Sequence, residues 1–175
     1  LGPPGYRWYR LGQRAQRRHR ASGRLTDSLP DGSRRAVTRV GFYVVQAAAA
    51  GQRLEVAARL ADKAYAQGHN IYINATDKPQ AQALNELLWS FRPASFMPHA
   101  LAGEEQSEQI AIGWGQDPGK HSDLLINLQL EIPSFFSRFA RVAEVVTQDE
   151  DSLAALRKSW LFYKERGYHL EKHDL

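Results

Sequence analysis

The chain is 175 residues long, 43% hydrophobic and 24% charged, which suits one globular domain with a sizeable core. It has no cysteine, which excludes disulfide scaffolds and thiolate zinc sites. No apolar run reaches the roughly 18 residues of a membrane span and no signal-like apolar stretch opens the sequence, so the expected location is the cytoplasm. The formal net charge of +4 is unevenly divided: nine arginines against Asp27 and Asp31 give residues 1–36 a charge of +7, which leaves −3 for residues 37–175. The body of the protein is mildly acidic, so its basic isoelectric point is no argument for nucleic-acid binding.

Residues 1–36 combine Gly, Pro, Ser and Arg with little apolar periodicity. Such a composition cannot offset its chain entropy, and disorder is expected. Two roles suit an arginine block, a phosphate-contacting arm and a targeting peptide. The preferred reading is an over-extended gene start, because the only methionine is Met97 and Val37 stands just before the first regular element. The native domain is then residues 37–175.

From Arg39 the pattern becomes regular. Val40–Val45 is β-branched and aromatic and reads as a buried strand. Leu54, Ala57, Ala58, Ala61, Ala64 and Tyr65 recur at helical spacing, with Gly68 as the stop. Asn70–Asn74 reads as a second strand. Asp77 with Gln80 three residues on, and Pro79 in the first turn, opens a helix that buries Ala81, Leu84, Leu87 and Leu88. Residues 89–105 show no clear period. Strands are expected near Gln109–Trp114 and Asp123–Leu128, a short helix from Pro133, and a last strand over Arg141–Val146. An acidic start at Glu150 and Asp151 opens a final helix that runs to Gly167, with Lys164 and Arg166 suiting its carboxyl end. Alternating strands and helices imply a single-domain α/β fold, a mostly parallel sheet with helices on both faces, Rossmann-like or P-loop-like in outline.

Catalytic motifs are missing at the places where this outline would carry them. The turn after the first strand reads AAAAG, with no Gly-x-Gly-x-x-Gly, and no Gly-x-Ser-x-Gly elbow occurs. The segment from Gly115 to Lys120 resembles a phosphate loop, but three residues separate its glycines where four are needed. His121 stands where a magnesium-binding hydroxyl belongs, and a strand follows where a helix is required. His169 and His173, four apart, lie in an expected solvated tail and lack a partner of set spacing. Glu104 and Glu105 are adjacent and diverge, a poor acid–base pair. No metal, cofactor or catalytic residue is assigned.

Two segments carry interface chemistry instead. The first, from Leu88 to Gly103, holds Trp89, Phe91, Arg92, Phe96 and Met97, residue types enriched at interface centres, with Pro93 and Pro98 keeping it irregular. The second is the last helix, where Arg157, Trp160 and Tyr163 recur every three residues, a guanidinium beside an indole. Such an arrangement suits a carboxylate clamp, and equally an ordinary cation–π contact on the surface.

These segments, with VGFYVV, ALNELLW, SFMPHALAGE, IAIGW, SDLLINL, FFSRFARVAEVV and EDSL leading to RGY, resemble the chi subunit of bacterial DNA polymerase III, over about Val37–Leu170. The resemblance implies an α/β fold without a nucleotide site. It also implies a non-catalytic subunit of a DNA-directed DNA polymerase, a nucleotidyltransferase complex of the bacterial replisome. Two partners follow from it: psi, which tethers chi to the clamp loader, and the acidic C-terminal tail of single-stranded DNA-binding protein (SSB). Trp89, Pro93 and Phe96 would belong to the psi-binding surface. Val146, Arg157 and Trp160 would form the SSB-tail pocket, with Lys158 an alternative to Arg157, and contact with nucleic acid would be indirect. Two rival readings are a nucleotide-binding enzyme using the Gly115–Lys120 loop and a DNA-binding protein using residues 1–36.

Overall fold

The β-branched and aromatic run Arg39–Val44 forms strand β1, since such side chains pack well on a pleated surface. The computed structural model describes residues 37–46, 50–91, 97–102 and 108–175. After β1 come helix α1 (Ala50–Ala66), β2 (Ile71–Asn74), α2 (Lys78–Phe91), β3 (His99–Leu101), β4 (Ile110–Gly113) and β5 (Leu124–Asn127). A 3-10 turn (Phe136–Arg138), β6 (Arg141–Val146), α3 (Glu150–Glu165) and β7 (His169–Asp174) complete the order. Gly68, at φ 81°, ends α1 as expected. At α2, Asp77 Oδ1 accepts from Gln80 N at 2.8 Å, while the Gln80 side chain returns to Thr76 N at 2.7 Å, a capping box displaced by one residue.

The strands pair in the order β3-β4-β2-β5-β6-β1-β7, and every pair is parallel. Parallel strands need cover on both faces. On one face α1 and α2 bury Ala57, Ala61, Leu84 and Leu88 against Ile71, Ile73, Ile112 and Ile126. On the other, α3 and the 3-10 turn bring Tyr163, Phe136 and Phe139 onto Phe42, Tyr72, Leu125 and Val142.

Three expectations change. The aperiodic stretch after Leu88 is partly regular: α2 continues to Phe91, so Trp89 is helical, and His99–Leu101 forms β3. Three residues are too few to display a period of two. The strand at Arg141–Val146 is not the last, because His169–Asp174 pairs with β1 along its whole length. Its alternation is faint because only Leu170 packs on the aromatic core, the other side chains standing at a sheet edge. His169 and His173 therefore share a strand face and do not lie in a tail. Glu171 stands between them, its oxygens 3.2 Å from His169 Nε2 and 3.5 Å from His173 Nε2.

Gly113 is required by a close approach. A Cβ there would stand 1.8 Å from Tyr72 Oη and 2.6 Å from Cζ, while the hydroxyl donates to Gln116 O at 2.9 Å. Gly113→Ala is therefore expected to cost about 1–3 kcal/mol by overpacking, read as a lower urea midpoint. Adding Tyr72→Phe should recover only part of the loss, since the ring carbon still clashes.

Candidate functional site

Strands β2, β5 and β6 carry polar residues at or near their carboxyl ends, and the register brings Asn74, Asn127 and Glu144 into one row. All three are buried, and each finds partners, as buried polar groups must. Asn74 Nδ2 donates to Asn127 Oδ1 at 3.1 Å and Asn127 Nδ2 to Glu144 Oε2 at 2.9 Å. From α3, Tyr163 Oη donates to Glu144 Oε1 at 2.9 Å. Burial dominates the Glu144 carboxyl and pushes its pKa up to about 7, against the lowering effects of Asn127, Tyr163 and the nearby Arg53 charge.

Beside this row, Arg53 of α1 bridges the ends of β5 and β6. Its Nε donates to Val145 O at 3.2 Å and its Nη2 to Leu128 O. Burial lowers the pKa of this guanidinium, while Asp149 and Glu144 oppose the shift. On the opposite side α3 begins at Asp149, whose Oδ1 accepts from Ser152 N at 2.9 Å. Thr147 Oγ1 donates to the other oxygen. Those bonds draw the exposed Asp149 carboxyl down to about 2.

Between α1 and α3 lies a shallow, open cleft, whose lining includes Phe42, Arg53, Leu130, Glu144, Val146 and Leu156. It is far smaller than a small-molecule site. Ligands of open parallel sheets bind outside the carboxyl ends of the strands, which is where this cleft opens.

The expected site residues separate into three groups. Val146 is buried and lines the cleft. Trp160 packs on Phe42, another lining residue, with ring centroids 5.1 Å apart. Arg157 is exposed on α3, next in sequence to the lining residue Leu156. The cation–π contact on this helix is made by Arg166 over Phe162 at 3.6 Å, and Tyr163, the third residue of the expected stripe, points inward to Glu144. On the far side of the sheet order, Trp89 is 57% exposed, its ring edge-on to His99 at 4.8 Å. His99 is held between Met97 O at 2.7 Å and Asn85 O at 3.2 Å, which ties the start of β3 to α2. Pro93 and Phe96, like Arg92, Glu104, Glu105 and residues 1–36, lie outside the described residues.

The Gly115–Lys120 loop already holds an anion of its own. Asp117 Oδ1 accepts from Gly119 N at 2.8 Å, and Arg138 Nη1 donates to Asp117 Oδ2 at 2.8 Å. The backbone donor that a phosphate would use is taken, and the loop runs directly into β5. Among the described residues no three His, Cys, Asp or Glu side chains are placed to hold a metal ion, and no helix is long and apolar enough to cross a membrane.

Fold and cleft define an α/β domain of parallel strands whose strand ends carry only a small, open recess. The chain belongs to the DNA polymerase III chi subunit family (HolC), whose model matches residues 37–171. It is 47% identical over 139 residues to the DNA polymerase III subunit chi of Pseudomonas aeruginosa, covering 79% of this chain and 98% of that one. The chi subunits of Haemophilus influenzae and Escherichia coli K12 are each 32% identical, covering 69% and 66% of this chain and 86% and 81% of their own. Among solved structures, T4 UvsW aligns with a TM-score of 0.55 at 9% identity, over 78% of this chain and 42% of that one, a likeness of fold alone.

Glu144 generates a test of the polar row. Its raised pKa means that the protonated form favours folding. The stabilisation is complete below about pH 4.5 and is lost as pH rises through about 7. Gln can accept from Asn127 and donate to Tyr163, so Glu144→Gln should remove this slope and exceed the wild type at pH 8 by on the order of 1–3 kcal/mol. Urea midpoints from pH 4.5 to 8 give the comparison; parallel pH curves for the two proteins would show that Glu144 titrates normally.

Proposed function

We propose that the protein is a non-catalytic accessory subunit of bacterial DNA polymerase III that joins psi, and through it the clamp loader, to the C-terminal tail of SSB in the cytoplasmic replisome. The observation that carries this reading is the family match across residues 37–171. Contact with DNA then passes through SSB, and the polymerase chemistry belongs to other subunits.

Two separate surfaces support the bridging role. Trp89, an exposed indole on α2, has the chemistry of a docking anchor, and psi is assigned to it together with Pro93 and Phe96. The SSB tail is assigned to α3 and the strand ends. Val146 offers an apolar wall there, Trp160 sits against the cleft's Phe42, and Arg157 offers an exposed cation to the tail's acidic residues. Exposed charge pairs are weak and screened by salt. Binding should therefore be modest and salt-sensitive, and the several tails of an SSB assembly compensate through avidity.

Fluorescence anisotropy of a labelled SSB C-terminal peptide titrated with the full chain tests the second surface. Saturable binding is expected, weakening with salt and reduced roughly two- to fivefold by Arg157→Ala, the worth of an exposed ion pair. A folded protein that binds no peptide would remove the SSB assignment. For the first surface, Trp89→Ala should weaken capture of psi by roughly thirtyfold or more, as for a buried aromatic anchor; unchanged capture would move psi elsewhere.

A further inference from the structure

We propose that His99 is a positioning residue for the Trp89 anchor: its ring, pinned between two elements, holds the indole in the outward orientation that a partner meets. The proposal rests on the psi assignment above and adds the residue that prepares that surface.

The difficulty that His99 answers is one of order. Trp89 lies in the last turn of α2 and is 57% exposed. A side chain that becomes fixed only on binding costs affinity through the rotamer freedom it gives up, and helix ends fray. The inner face of this turn is held by Leu84 and Leu88, both buried against the sheet. Trp89 is the next residue round the helix and is not part of that core.

Support for it comes from β3. The backbone of His99 is in register with Ile110 of β4, and Met97, two residues earlier, is buried in the core. The ring is then held at both nitrogens, with Nδ1 2.7 Å from Met97 O and Nε2 3.2 Å from Asn85 O. Asn85 stands four residues before Trp89, so in the α-helical pattern its carbonyl is the one that receives the Trp89 N–H. His99 thus reaches the backbone of the turn that carries the indole. It also meets the indole itself edge to face, with ring centroids 4.8 Å apart and planes at 61°. A ring fixed at two points and touching the indole at a third acts as a rigid stop.

A buried histidine with two carbonyl partners is ordinarily explained by core packing. Core packing does not explain the place of this one, between the core and an indole more than half exposed. The arrangement also gives a physical reason for a histidine after Pro98 in SFMPHALAGE. Leucine or phenylalanine would fill the space without holding either carbonyl, and asparagine would hold one without supplying a ring.

The test separates support of the indole from support of the fold. His99→Asn keeps an N–H donor for Met97 O and removes both the ring and the bond to Asn85 O. Capture of psi by the full chain should weaken roughly three- to tenfold, the worth of ordering one large side chain on binding. In a Trp89→Ala background the same substitution should change capture by less than about twofold, because the indole through which His99 acts is gone. A histidine that only stabilised the fold would cost the same in both backgrounds, and that additivity would overturn the proposal. On the wild-type chain, which needs no variant to fold, NMR cross-peaks between the His99 ring and the Trp89 indole should be present without psi and persist with it. Their loss on binding would mean that the indole docks in another orientation, which overturns the role of His99 and leaves psi at this surface. Capture of psi unchanged by Trp89→Ala would overturn the psi assignment and the role of His99 with it.

Discussion

A carboxyl group taken out of water needs hydrogen-bond partners, and Glu144 has one on each oxygen. It sits on the core side of β6 with Asn127 on one oxygen and the Tyr163 hydroxyl on the other. The bond to Tyr163 is the polar tie between sheet and α3, and it fixes how that helix is turned about its axis. Around the same tyrosine ring, Phe136, Phe162, Tyr168 and Phe42 stand with centroids 5.3 to 6.0 Å away. Once Tyr163 is set, Trp160 must lie on Phe42, Leu156 must line the cleft, and Arg157 must stay outside. The shape of the recess is thus a consequence of where one buried acid finds its hydrogen bonds.

Arg53 completes the same edge from the other face. In an open parallel sheet the ends of the strands leave backbone carbonyls that need donors. Here a side chain of α1 supplies them at Leu128 and Val145, and Gln129 does so at Ala75. The strand ends where related architectures seat a ligand are closed by the protein's own side chains, and the remaining space is small.

Much of the architecture could be read from the residues. VGFYVV, NIYIN and LLINL are strands because central parallel strands are covered on both faces and read as nearly continuous apolar runs. The edges were harder for the same reason: HLEKHD has one apolar residue on the aromatic core, and HAL is too short to show alternation. Val146 was singled out only through the family resemblance, whereas Trp160 and Trp89 stood out as aromatics in segments with interface chemistry. Arg53 did not, since in sequence it is an ordinary helix arginine. Its meaning depends on carbonyls 75 and 92 residues away. Glu144 left a trace, an acid in the middle of RVAEVV, as did the asparagines that end two apolar strands.

The exposed Trp89 indole and the strand-end cleft lie far apart along the sheet. Trp89 belongs to the helix packed over β3 and β4, and the cleft opens at β6 and β1. From β3 to β6 is four strand spacings in the hydrogen-bonding direction, about 19 Å at ~4.8 Å each. Groups separated by more than about 10 Å without shared partners act nearly independently. On the proposed assignment, two partners could be held at once without competition. In mechanical terms the sheet is a stiff spacer that holds the indole and the cleft a fixed distance apart.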